Sequence, residues 1–245
     1  MIKVITLLTK FIVVSLVALL FSSCRHMGNL NSIQGNGDIT TENRNADSDF
    51  KSIEVSYGID VVLEQSNNKS IAVEADSNLQ NHIKTEIKNG VLIINSNQSY
   101  NSSKTPKVTV KMPIIEGLQA SSGSNIESVN TLKGENITLN TSSAAEINVN
   151  IEVDNITLKS SSGSNITASG KALKLETSAS SGSDINADNL LVNDIDANVS
   201  SGATTNVHPI VSLKAEASSG GDINYNTTPK SIQKKLSSGG SIEKD

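Results

Sequence analysis

From residue 121 onward the chain alternates. Aligned on a recurring Ser-Ser pair, marks fall at Ser121, Ser142, Ser161, Ser180, Ser200, Ser218 and Ser237, at intervals of 21, 19, 19, 20, 18 and 19 residues. Five residues after each mark stand Ile126, Ile147, Ile166, Ile185, Thr205, Ile223 and Ile242. Five residues before the last six marks stand Ile137, Ile156, Leu175, Ile195, Leu213 and Ile232. Apolar and small residues hold the odd offsets, while Asn, Asp, Lys, Glu, Thr and Ser fill most even ones. A period of two marks a strand with one buried face, and the steady longer period marks stacked repeats. The pattern predicts an all-β fold: a parallel β-helix, or β-solenoid, with coils of about 19–20 residues and two main strands per coil.

Carried through the Ser-Ser mark, the same alternation turns the second serine inward: Ser122, Ser143, Ser162, Ser181, Ser201, Ser219 and Ser238. The next inward residue is Ser124, Ala145, Ser164, Ser183, Ala203, Gly221 or Gly240. All are small, as a sharp bend between converging sheets demands. Between them stands glycine at six marks and Ala144 at the other; glycine accepts positive φ without steric cost. On this reading each inward hydroxyl bonds to the coil above or below, and Ser162→Leu overpacks the corner. A second bend is expected at 132–136, 153–155, 169–171, 208–209 and 228–230. Coil 161–179 offers Ile166, Leu173 and Leu175 for burial. Each contributes about 1.5–3 kcal/mol when buried, against about 1–2 kcal/mol to order every backbone residue. One coil cannot fold alone; neighbours must supply the rest.

Residues 35–119 alternate less regularly. The stretch 35–44 echoes the corners through Gly37 and Ile39, and 50–65, 69–75 and 105–113 read as strands. Asn89-Gly90 between two strand patterns predicts a hairpin, and 76–83 predicts one helical turn behind an Asp76 cap. The expected organisation is a signal peptide over 1–23, a tether over 24–34, and one β-helical domain over 35–245 with regular repeats at 121–242. The irregular first coils cap one end of the stack. At the other end, charged residues in 241–245 blunt an exposed sheet edge.

The leader carries Lys3 and Lys10, an apolar run from Phe11 to Phe21 and two serines before Cys24. That is a secretory signal, too short to span a bilayer comfortably. Cys24 is the only cysteine, and its place resembles the lipid-bearing cysteine of bacterial lipoproteins, although Phe21 departs from the usual aliphatic residue. Twenty Lys and Arg face 25 Asp and Glu, and losing the leader removes two more bases. This acidity, without basic blocks, excludes nucleic acid as a natural partner.

The Ser-Ser-Gly-x-Asn/Asp-Ile corners, the stretch FKSIEVSYGIDVVLEQ (50–65) and the lipoprotein-like start together resemble the head GIN domain family of auto-transporter adhesins, frequent among Bacteroidetes. The likeness spans about residues 35–242. It implies a right-handed β-helix shaped like pectin-lyase-like proteins, and an adhesion role; it carries no catalytic residues.

Candidate chemistry is sparse. Asp184 and Asp222 share an outward corner column with Asn125, Glu146, Asn165 and Ser241, where Asn and Asp beside glycine read as turn chemistry. Asp184 and Asp188 fall short of a calcium loop. His26, His82 and His208 are isolated and make no zinc or triad constellation. No catalytic, cofactor or metal residue is expected, and Cys24 is the expected lipid attachment point. The first functional reading is a non-catalytic, lipid-anchored envelope protein of the outer membrane or cell surface. It would bind glycan or protein through a repetitive polar face, as a homo-oligomer or alone. The alternatives are a polysaccharide lyase or hydrolase, which needs converging carboxylates or a metal, and a periplasm-facing factor that binds a protein.

Overall fold

The computed structural model describes residues 32–46 and 48–245 and, in addition, Lys10, Phe11 and Ser15. The tether's start and Cys24 lie outside the described residues. Among the described residues, no helix is long and apolar enough to cross a membrane.

The first half supplies short strands: β1 (Ile33–Gln34), β2 (Ile39–Arg44), β3 (Ser52–Val55), β4 (Asp60–Gln65), β5 (Ser70–Asp76), β6 (Ile83–Lys88), β7 (Val91–Ser96), β8 (Tyr100–Asn101) and β9 (Lys107–Met112). The repeat supplies β10 (Gly117–Ala120), β11 (Asn125–Ser128), β12 (Leu132–Thr141), β13 (Glu146–Ser161), β14 (Asn165–Ser180), β15 (Asp184–Val199), β16 (Thr204–Ala217), β17 (Asp222–Tyr225), β18 (Ser231–Leu236) and β19 (Ser241–Lys244). In β13 to β15 one hydrogen-bonded strand runs from each corner through the second bend to the next. Successive coils pair in parallel with like positions opposed: Ile126 on Ile147, Ile147 on Ile166, Ile166 on Ile185. All four are fully buried. The solenoid is therefore stacked in register around a shared dry interior.

The stack does not follow chain order at its N-terminal end. Coil β3–β4 pairs on one side with β10 and β11, and on the other with β7 and β9. The chain thus lays one coil, passes through the end cap, and returns to build outward from the opposite side. The cap is antiparallel: β5 on β9, β2 on β5, and β6 on β7. The predicted hairpin is present, with φ of 52° at Asn89 and 77° at Gly90. Within the stretch 35–44, Ile39–Arg44 becomes edge strand β2 rather than part of a corner of the stack. Residues 77–82 form turns, with i→i−4 bonds from Gln80 to Asp76 and from Ile83 to Leu79. The Asp76 carboxylate does not cap them. It accepts from the Gly37 N–H at 2.5 Å and from the Ser102 hydroxyl.

The corner differs from its sequence reading in one respect. Ser122, Ser143, Ser162, Ser181, Ser201, Ser219 and Ser238 are exposed, not inward, and all have φ between 49° and 58°. Each is the first of two left-handed residues, followed by glycine or Ala144, also at positive φ. At five corners an i→i+3 bond closes the turn, as from Ser124 N–H to the Ser121 carbonyl at 3.2 Å. Two consecutive left-handed residues give the twist of a type I′ turn. Alternation resumes afterwards with Ser124, Ala145, Ser164, Ser183, Ala203 and Gly221 buried, so parity is preserved while the turn tip faces water. Overpacking by Ser162→Leu is accordingly not expected.

The tips are also stacked. Gly58 N–H donates to the Ser122 carbonyl, Gly123 to Ser143, Ala144 to Ser162, Gly163 to Ser181, and on to Gly220 and Ser238, all at 3.0–3.2 Å. The left-handed turn keeps the ladder running around the bend, which meets the demand that backbone groups be paired. Inward hydroxyls link coils as well: Ser124 Oγ accepts from Ile59 N–H, Ser164 Oγ donates to Thr141 Oγ1, and Ser183 Oγ donates to the Ser160 carbonyl. At Gly221 and Gly240 an added Cβ would come within 2.8 Å of Val199 and 2.5 Å of Ala217. Nothing larger than glycine fits there.

The second bend lies where inward alternation breaks. It falls at 154–155, as expected in that coil, but at 173–174 rather than 169–171, and at 210–212 rather than 208–209. Leu173 is consequently 52 % exposed, not part of the core.

Candidate binding surface

Stacking in register turns outward residues into columns spaced about 4.8 Å apart. One column runs Glu127, Asn148, Thr167, Asn186, Asn206, Asn224. Near its C-terminal end Asn224 Nδ2 donates along the rod to Asn206 Oδ1 at 2.9 Å. A second column runs Gln119, Asn140, Lys159, Ser178, Asn198, Glu216. Beside it lie two shallow serine-lined grooves. The one along Asn140, Lys159 and Ser161 has a volume of about 330 Å³, and the one along Asn198, Ser200 and Glu216 about 300 Å³.

A third groove differs in chemistry. Leu173, Leu191 and Ile210, all exposed, line about 630 Å³ at the second bend with Val153 and Ala172. On its rim Glu152 pairs with Lys171 at 2.8 Å and Lys133 at 3.5 Å. The Lys171 hydrogen bond, with Lys133 adding its charge, holds the Glu152 carboxyl below its ordinary range. Sequence reasoning missed this groove. The signal was available: "ALKLE", "NLLVN" and "HPIVS" each hold more apolar residues than one inward face can take, so one of them must turn out.

The acidic candidates are placed but not gathered. Asp184 and Asp222 stand in one column separated by Thr204, with Asn165 and Glu146 further along. Both carboxylates are exposed and line none of these grooves. Asp188 is half-buried, and its carboxyl is pushed up by that burial and by Asp245, with His208 opposing. His208 Nδ1 lies 3.1 Å from the Asp188 carbonyl, and His82 Nδ1 2.9 Å from Asn97 Oδ1. His26 lies outside the described residues. Among the described residues no three His, Cys, Asp or Glu side chains are grouped to hold a metal.

A coiled rod with a repetitive outer face and a left-handed corner at each coil, serine in all but the β3–β4 coil, defines a β-solenoid. Residues 49–229 match the family model described as putative auto-transporter adhesin, head GIN domain. The chain belongs to that family. Similar solved structures include a putative adhesin from Bacteroides fragilis at 16 % identity, covering 87 % of this chain and 100 % of that one with a TM-score of 0.80. A putative adhesin from Parabacteroides merdae and a putative lipid binding protein from Parabacteroides distasonis are each 21 % identical, covering 87 % of this chain and 99 % of theirs with TM-scores of 0.73. At these identities the likeness speaks to the fold. No curated protein matches the chain.

Proposed function

We propose that this chain is a non-catalytic binding scaffold of the cell envelope, held to the outer membrane by a lipid on Cys24, with its rod facing outward as an adhesin. The observation that carries the reading is the pair of polar columns in register along the coils. Evenly spaced amides and hydroxyls offer many weak hydrogen bonds to a repetitive partner such as a glycan chain. Weak contacts repeated along one ligand bind through effective concentration rather than through one deep pocket. Membership of a family of putative auto-transporter adhesins supports the same role.

The test uses the soluble chain from residue 25 on glycan and protein arrays, with Asn148→Ala, Asn186→Ala and their combination. Binding that weakens stepwise supports the columns. Binding unaffected by the pair, or turnover of an acidic polysaccharide, overturns the reading. Protease added to intact cells separates an external rod, which is cut, from a periplasm-facing one, which survives. Cys24→Ser is expected to release the protein from membranes and to abolish labelling by a fatty-acid probe.

The apolar groove supports a second, narrower reading. Leu173, Leu191 and Ile210 with Lys171 at the rim fit an acyl chain with an anionic head, and one fold relative is called a putative lipid binding protein. Displacement of a fluorescent fatty acid, lost in Leu191→Asp, is the result expected.

A further inference from the structure

We infer that Lys234 is a built-in stop that prevents a second copy of this chain from stacking on the C-terminal end of the rod. β18 is the outermost strand of its face among the described residues, and every one of its residues is exposed. In register it continues the inward columns. Ile232 follows Leu213, Lys234 follows Ala215, and Leu236 follows Ala217. The middle column runs back through Ala197 and Thr177 to Leu158, all buried. A lysine therefore stands where every earlier coil has a side chain in the core.

Lys234 uses that position. Its ammonium crosses the open end of the core to the facing sheet, donating to Tyr225 Oη at 2.9 Å and to the Ile242 carbonyl at 3.0 Å. It sits 4.6 Å from the Tyr225 ring centre. Tyr225 and Ile242 are both buried, so the charge lies across the mouth of the interior. Two neutral oxygens take two of its three N–H groups, and among the described residues no carboxylate pairs with it.

Without this charge the end resembles a fresh stacking surface. It offers unpaired strand groups and apolar Ile232 and Leu236, exposed by 38 % and 54 %. A second copy laid there would bury the ammonium with no counter-charge, which is unfavourable. An inward-pointing charge on an edge strand is a known guard against edge-to-edge pairing. Lys235, the next residue, points outward to Glu216 at 2.9 Å and guards nothing.

The experiment is sedimentation velocity across a concentration series on the soluble chain. Lys234→Met is expected to shift from the wild-type profile to larger, concentration-dependent species. Adding Leu236→Asp to that variant should reverse the shift, and Lys235→Met alone should leave the wild-type profile. A folded Lys234→Met that sediments like wild type overturns the inference. So does association that Leu236→Asp fails to reverse, or equal association by Lys235→Met. If Lys234→Met does not fold, Lys234→Gln, which can still reach Tyr225 Oη, carries the same expectations.

Discussion

Replacing Thr205 by valine should make this protein more stable. Thr205 occupies the column otherwise held by Ile126, Ile147, Ile166, Ile185, Ile223 and Ile242, directly between Ile185 and Ile223. It is fully buried, and its Oγ1 has no hydrogen-bond partner among the described residues. An unpaired buried polar group costs about 1–3 kcal/mol. Valine keeps the branched shape and replaces the hydroxyl with a methyl that its isoleucine neighbours can accept. The net gain worked from these terms is about 1–2 kcal/mol, or a rise in melting temperature of roughly 2–8 °C for a chain of this size. Thermal and urea melts followed by far-ultraviolet circular dichroism read it directly. Thr204→Val, one residue earlier on the outward face, is the control and should stay within about 0.5 kcal/mol of wild type. A valine variant that melts at or below the wild-type temperature would mean that the Thr205 hydroxyl has a partner and is not a buried cost.

Three other expectations concern backbone and charge. Gly163→Ala should cost about 1 kcal/mol from its left-handed φ alone, because nothing lies within 4 Å of the added Cβ. Gly170→Ala should cost far more, because its Cβ would fall 2.0 Å from the Ile151 carbonyl oxygen; denaturant midpoints of the two variants make the comparison. The Ser102 hydroxyl and the Gly37 N–H hold the Asp76 carboxyl below its ordinary range. Its contribution is thus present above the unfolded-state value and lost as pH falls through the lowered one, whereas Asp76→Asn should lack that acid step. Burial raises Asp188, so its sign is opposite: stability is fullest below the unfolded value and declines as pH rises through the folded one. Asp188→Asn should therefore stabilise at neutral pH, as melts across a pH series would show.

The repeat was legible because its inward column is chemically uniform and its period hardly varies. Parity alone misplaced Ser162, since two left-handed residues consume two positions and return the chain to the same phase. Exposed and buried readings of the tip look alike in sequence; only φ separates them. The coil formed by β3 and β4 was hidden for a different reason. Ser56-Tyr57-Gly58-Ile59 is another copy of the corner, with Tyr57 at φ 70° and Gly58 at 66°. Tyrosine replaces the serine and isoleucine the small inward residue, so a search on Ser-Ser passes over it. Yet Asp60 and Val61 stand opposite Asn125 and Ile126. The return of the chain past its own first coil has no local signature, because strand order at a cap is decided by tertiary pairing. The polar columns followed from the period, whereas the apolar groove needed the true site of the second bend.

Successive coils oppose like positions, and an engineered disulfide can check that register. Asn148 and Thr167 are Cα partners on neighbouring coils, and Ser169 lies two residues further along. In a background carrying Cys24→Ser, cysteines at 148 and 167 would sit about 4.8 Å apart, within reach of a disulfide. Cysteines at 148 and 169 would be roughly 8 Å apart and out of reach. Under mild oxidation the first pair should close rapidly within one molecule, with the second remaining reduced. Equal closure of both, or closure of the second alone, would contradict stacking in this register.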